Sequence, residues 1–338
     1  MKSSKPILFI FLIAVIGLYG CSQSSKTTTK MILTPKKIVI AHRGASGYLP
    51  EHTLPAKAMA YAMQPDYLEQ DLVLSKDNIP IVIHDIHLET VTDVARQFPE
   101  RKRTDGRYYV IDFNYKELKQ LNVTERFDPK TGKAVFKNRF PLWKSHFTLH
   151  SLQDEIEMIQ GLNKSTGKNI GIYPEIKEPE FHRKEGKDIS KIILKILSDY
   201  GYTTKKDNCI LQCFDAQELK RIRQELQSQL FLVQLIEYKE EEAHLKEFAT
   251  YADGIGPYFK QLIKKVDSDG TIVFTSFVND CHQLGLVVHA YTFRADQLGG
   301  MPTFEVLLDA GFNKANLDGI FTDFPDKAVS FLRKQESK

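Results

Sequence analysis

The feature that most limits how this chain can fold is an alternation that runs from Lys37 to the C-terminus. Short runs rich in β-branched residues are followed by helical patterns: KIVIA by TLPAKAMAYAM, NIGIYPEIK by KDISKIILKILSDYG, and NCILQCF by AQELKRIRQELQ. Eight runs open such units, near residues 38, 67, 170, 209, 231, 252, 286 and 319. Strand–helix alternation at this spacing implies a parallel sheet with right-handed crossovers. Eight units fit an α/β fold of the closed (β/α)₈ TIM-type barrel. An open doubly wound sheet is the rival. It would carry a G-x-G-x-x-G first turn, and HRGASG lacks that spacing.

Local signals place the helices. Thr53 can cap the first, with Pro55 in its opening turn. Ser151 can cap the helix that begins SLQDE, and Gly201 ends the one beginning KDISK. KEEEAHLKEFATY also reads as helical. PIVIH, after the Asp77-Asn78 turn, is a further extended piece. Residues 88–150 break the rhythm. They are rich in charge and aromatics, carry turn signals at Asp105-Gly106 and at Asp128 to Gly132, and hold the one Trp, Trp143. They read as an insertion of about sixty residues after the second strand; a segment so long is usually functional.

The N-terminus reads as a targeting segment. Lys2 and Lys5 precede an apolar run, Ile7 to Tyr19, too short for a typical membrane span and suited to a signal-peptide core. Gly20-Cys21 at its end resembles a bacterial lipoprotein cleavage site. Residues 1–20 are then the signal peptide, Cys21 is lipidated, and residues 21–36 form a polar tether before the barrel at 37–335. The expected location is exported and membrane-anchored, facing the periplasm or the cell surface, with the outer membrane favoured. The other three cysteines, Cys209, Cys213 and Cys281, are an odd number and argue against a disulfide framework. The net charge of +3 shows no basic excess of the kind a nucleic-acid binder carries, so no nucleic-acid partner is expected.

Polar residues gather where strands end. The first ends in His42-Arg43-Gly44, the second near Glu69-Gln70-Asp71, and the PIVIH run in His84-Asp85. Later strands end in Glu175-Ile176-Lys177, Gln212-Cys213-Phe214-Asp215, His289 to Arg294, and Thr322-Asp323. In a barrel all of these meet at one mouth. Glu69 and Asp71 share a strand face, as do Glu175 and Lys177. Converging carboxylates repel unless a cation lies between them, and oxygen-only ligation suits Mg²⁺ or Ca²⁺. Such an ion beside an Arg and a Lys suits a phosphate. His42 and His84 have the pKa range for general acid and base. Each pair alone has an ordinary structural reading, as a salt bridge or a solvated strand face; their joint appearance points to chemistry.

The motifs HRGASGYLPEHTLPAKAMAYA, DYLEQDLVLSKD, IVIHD, GIYPEIK, LQCFDAQELKRI, VVHAYT and IFTDFPDKAV, in this order, resemble the secreted bacterial glycerophosphodiester phosphodiesterases. The resemblance implies metal ligands at Glu69, Asp71 and Glu175 and acid/base histidines at His42 and His84. It puts a phosphate-binding arginine at Arg43, an active-site lysine at Lys177, and aromatics lining the glycerol end at Phe214 and Tyr291. The implied cofactor is one divalent cation, Ca²⁺ favoured and Mg²⁺ possible. The implied partner is a small glycerophosphodiester, such as glycerophosphocholine, cleaved to glycerol 3-phosphate and an alcohol. The chain departs from the family pattern at His52, at Glu180 where an aromatic is usual, and near residues 237–245, which are shorter. Two other functions compete: a phospholipase on a related barrel, against which the charged insertion argues, and a surface lipoprotein acting mainly as an adhesin or host-protein binder. The sequence leaves the oligomeric state open.

Overall fold

The computed structural model describes residues 36–267 and 272–336. The expected signal peptide, Cys21 and nearly all of the tether lie outside the described residues. Among those described, eight parallel strands close on themselves: β1 Ile38–Ala41, β2 Tyr67–Leu74, β3 Gly171–Ile176, β4 Ile210–Cys213, β5 Phe231–Ile236, β6 Gly254–Pro257, β7 Val287–Phe293 and β8 Gly319–Thr322. β1 pairs with both β8 and β2, which completes the ring. The open-sheet rival is thereby excluded. Pro80–Val82, the extra extended piece, lies antiparallel on β2.

The helices begin and end where local chemistry dictates. The Thr53 side chain accepts the Ala56 N–H at the start of α1, Leu54–Met63. Ser151 and Asp154 form a reciprocal capping box for α2, Leu152–Thr166, satisfying two N–H groups that a helix start otherwise leaves bare. α3 (Ile189–Asp199) and α4 (Ala216–Gln224) are capped by Asp188 and Asp215. The segment read as one helix after β5 is instead a 3₁₀ stretch, Lys239–His244, and one α turn, α5, Leu245–Phe248. Its acidic start offers no apolar stripe until Leu245, and the Glu241 carboxylate binds the N–H groups of Glu237 and Tyr238. After β6 come a short hairpin and α6, Phe277–Gln283; α7, Phe304–Asp309, and α8, Pro325–Glu336, follow β7 and β8.

Inside the barrel, alternate residues of each strand point inward and stack in layers. The lower layer is apolar and aromatic, with Ile40, Tyr173, Ile210, Val233 and Phe321 buried together. Tyr173 is wholly buried; its ring meets Phe321 at 5.0 Å and its hydroxyl meets His289 Nδ1 at 2.9 Å. So many rings fit because small residues face them. A Cβ on Gly171 would lie 2.4 Å from the Tyr67 ring. His289, read from sequence as a strand-end group, is mid-strand in this layer, because β7 continues to Phe293. Residues 88–150 form the insertion expected after the second strand. It has its own core, in which Leu88, Val110, Phe113, Leu118 and Val123 pack on Val73 and Ile81. It is therefore anchored beside β2, at the mouth.

Candidate active site

The upper layer is charged. A cavity of about 180 Å³ at the carboxyl ends of the strands is lined by His42, Arg43, Glu69, Asp71, His84 and Glu175, and also by Lys177, Phe214 and Tyr291. These are all the expected site residues other than Cys21. The turn after β1 sets the geometry: Arg43 sits at φ 56°, and its N–H donates to Glu69 Oε2 at 2.7 Å.

Glu69, Asp71 and Glu175 each offer an oxygen within 4.8 Å of the others, and all three residues are buried. Burial and the charges of Asp71 and Glu175 push the Glu69 carboxyl well above its usual range. Burial likewise pushes Glu175 up, although Lys177 opposes it. Against the cost of its own burial, Lys177 and His52 hold Asp71 well below the usual carboxylate value. His52 Nε2 lies 2.7 Å from Asp71 Oδ2, and Lys177 Nζ donates to Glu175 Oε1 at 2.7 Å. Asp71 Oδ1 is buried with no hydrogen-bond partner. An all-oxygen set with surplus negative charge and an unpartnered oxygen fits a hard divalent cation.

Each candidate histidine is oriented by a carboxylate. His42 Nδ1 lies 2.5 Å from Asp323 Oδ1, and His84 Nδ1 lies 2.5 Å from Asp85 Oδ1. This leaves each Nε2 for other partners: that of His84 is 3.5 Å from Lys177 Nζ and that of His42 is 3.9 Å from Glu69 Oε2. Burial, then the Arg43 charge, lower both imidazoles, His42 to about 4 and His84 to about 3. Both shifts favour the neutral ring.

The surrounding ion network was not evident from sequence. Arg139 and Arg294 both donate to Asp323 Oδ2, at 2.6 and 2.7 Å. Arg126 donates to Asp85 at 2.6 Å and also holds Glu51, the acceptor for Arg43. Arg126 and Arg139 come from the insertion, whose irregular sequence gives no periodicity to locate them. Asp323 and Arg294 were visible only as strand-end residues without a role. Of the histidines not read as catalytic, His150 is buried on Glu155 and His182 is buried against the backbone of Leu74.

The Glycerophosphoryl diester phosphodiesterase family model matches residues 42–327. A glycerophosphodiester phosphodiesterase of Haemophilus influenzae is 48% identical, the match covering 96% of this chain and 98% of that one. Another, of Treponema pallidum, is 39% identical over 88% of this chain and 92% of its own. Among solved structures, a glycerophosphoryl diester phosphodiesterase from Silicibacter pomeroyi superposes with a TM-score of 0.69 at 21% identity, covering 89% of this chain and 95% of its own. A phosphodiesterase of Oleispira antarctica, described in complex with the product sn-glycerol-3-phosphate, gives 0.61 at 21% identity over 89% and 97%. The barrel, the full-length match and the family model together place this chain in the glycerophosphoryl diester phosphodiesterase family, as a phosphoric diester hydrolase.

Proposed function

We propose that the enzyme hydrolyses glycerophosphodiesters, such as glycerophosphocholine, to glycerol 3-phosphate and an alcohol. The observation that carries this reading is the arrangement of two carboxylate-oriented histidines and two cations, Arg43 and Lys177, around one cavity. The product described in the Oleispira structure supports it. Glu69, Asp71 and Glu175 would hold the divalent cation, for which we favour Ca²⁺ over Mg²⁺. Bound there, the ion would take up charge developing on the phosphoryl oxygens.

The chain's own groups do the rest. Arg43 and Lys177 neutralise and orient the phosphate. Phe214 and Tyr291, whose rings lie 5.9 Å apart edge to face, offer an apolar wall to the glycerol carbons. The phosphate charge raises the pKa values of the neighbouring imidazoles. One then takes the proton of the glycerol 2-hydroxyl as its oxygen bonds to phosphorus. The other gives a proton to the alcohol oxygen as its P–O bond breaks. Water opens the cyclic phosphate by the reverse exchange. An internal nucleophile suits a site that fixes the glycerol, because proximity removes the entropy of bringing in water. Export and a lipid anchor at Cys21 belong to the same reading, on the N-terminal sequence alone.

An assay coupled to glycerol 3-phosphate, with and without chelator, tests the reading. Wild type should turn over glycerophosphocholine and stop when the chelator is added. His42→Ala and His84→Ala should each lose roughly 10²–10⁴-fold. Activity indifferent to chelator would remove the cation, and retained activity in either variant would remove that histidine from its role. Normal turnover of a substrate without the 2-hydroxyl would end the internal-nucleophile step.

A further inference from the structure

We propose that Gln212 is a fourth protein donor to the cation site, offering its side-chain carbonyl oxygen beside the three carboxylates. The inference rests on the cation site proposed above and deepens it.

Register carries the first part of the argument. Asp71 on β2 is the partner of Glu175 on β3, Glu175 of Gln212 on β4, and Gln212 of Val233 on β5. Neighbouring residues in register point to the same face. Asp71, Glu175 and Gln212 therefore form one inward row across three adjacent strands, and Val233 ends its polar part. Two members of that row are candidate ligands, and Gln212 is the third.

Satisfaction carries the second part. Gln212 is wholly buried and lines the same cavity. Its Nε2 donates to Glu69 Oε1 at a long 3.3 Å, while its Oε1 has no hydrogen-bond partner. A buried amide oxygen left bare costs about 1–3 kcal/mol, and an apolar residue such as Val233 would fill the position without that cost. Within the same cavity, Asp71 Oδ1 is also bare. Two unpartnered buried oxygens in one row are what a hard cation satisfies at once.

Charge decides why the fourth donor is an amide. Three carboxylates already exceed the charge of a divalent ion, and the substrate phosphate brings more. A further carboxylate would repel both, whereas a neutral carbonyl adds a ligand without adding charge. Amide carbonyls are ordinary ligands of Ca²⁺.

The test is direct cation binding, read by calorimetric titration of the full chain with Ca²⁺ and no substrate. Thermal melts check folding. Gln212→Leu should bind Ca²⁺ about 10–100-fold more weakly. Gln212→Glu keeps an oxygen at the position and should bind at least ten times tighter than Gln212→Leu. If Gln212 served only to hold Glu69 through its N–H, the new carboxylate would repel Glu69 and Gln212→Glu would be the weaker binder; that order overturns the proposal. Unchanged affinity in Gln212→Leu, with binding lost in Glu175→Gln, overturns it while leaving the three-carboxylate site standing. Absence of Ca²⁺ binding in wild type overturns both.

Discussion

β2 runs between two buried polar clusters that share a backbone and differ in what they lack. On its inner face lie Glu69 and Asp71, with Glu175 beside them. On its outer face, Gln70 meets Glu155, which also binds Lys57 and His150, all buried. Outside, the Glu155 carboxylate accepts from Lys57 at 2.9 Å, Gln70 at 2.7 Å and His150 at 2.8 Å. Lys57 and His150 hold it down to about 2 against the cost of burial. Inside, three carboxylates share Lys177 and Arg43, and two of them are pushed upward. Burial is the same on both faces, so burial does not explain the difference. The outer cluster has matched its charge, as stability demands. The inner one has not, and a chain that needed only to fold would have no reason to keep it.

The largest expected effect comes from breaking the inner cluster. Glu175→Gln should lower turnover of glycerophosphocholine on the order of 10³-fold. The same change removes one of three mutually repelling charges, so the cation-free protein should melt at the same temperature or higher. Activity and melting should thus move independently. A melting temperature that falls along with activity would make the inner cluster structural, like the outer one.

Next in size is the reverse break. Lys57 is fully buried, bonded to Glu155 and to the Glu69 carbonyl oxygen. Lys57→Met leaves Glu155 a buried charge without its main counter-ion, at a cost of roughly 3–5 kcal/mol. Urea unfolding measures this directly. Adding Glu155→Gln to Lys57→Met should recover part of the loss. A loss below about 1 kcal/mol would mean that water already screens the pair.

The contrast also marks what the sequence could reveal. Period-two geometry forces Glu69 with Asp71, and Glu175 with Lys177, onto one face each, so the inner cluster followed from eight strands and their ends. The outer cluster did not. Lys57 and Glu155 are 98 residues apart, on α1 and α2, where a charged residue ordinarily faces water, and no local pattern says that either is buried. The partners of the histidines divide in the same way. Asp85 follows His84 directly, while Asp323 is 281 residues from His42 and meets it only when β8 closes on β1. Arg126 and Arg139 lay in an insertion without periodicity, so chain order gave their existence but not their destination. The single helix expected over residues 239–251 divides into a 3₁₀ stretch and one α turn for a local reason, since its acidic start offers no apolar stripe before Leu245.

A third effect separates the clusters by pH. Glu155 has a folded value of about 2 against 4.5 when unperturbed. Its folded value is depressed, so its contribution is complete above pH 4.5 and disappears as pH falls from there toward 2. The contribution is about 3 kcal/mol at most. Subtracting the Glu155→Gln profile isolates it from the other carboxylates. The stability gap between wild type and variant should be widest near neutrality and narrow as pH falls from 4.5 toward 2. A gap independent of pH between 6 and 3 would show that Glu155 folds protonated and that its pairing with Lys57 is not ionic.

The smallest effect tests the residue that touches both clusters. His52 donates from Nε2 to Asp71 Oδ2 on the inner side. Burial, then the Lys57 charge from the outer side, lower its ring to about 4. The outer cluster thus helps keep His52 a neutral donor for a candidate ligand. His52→Ala should weaken Ca²⁺ binding about 10-fold, at the low end for a group that orients a ligand. Raising Ca²⁺ should restore turnover in His52→Ala, because all three carboxylates remain, and should not restore it in Glu175→Gln. If His52→Ala instead lowers stability as much as Lys57→Met while leaving Ca²⁺ affinity intact, His52 belongs to the scaffold, and the boundary between the clusters lies one residue nearer the cavity.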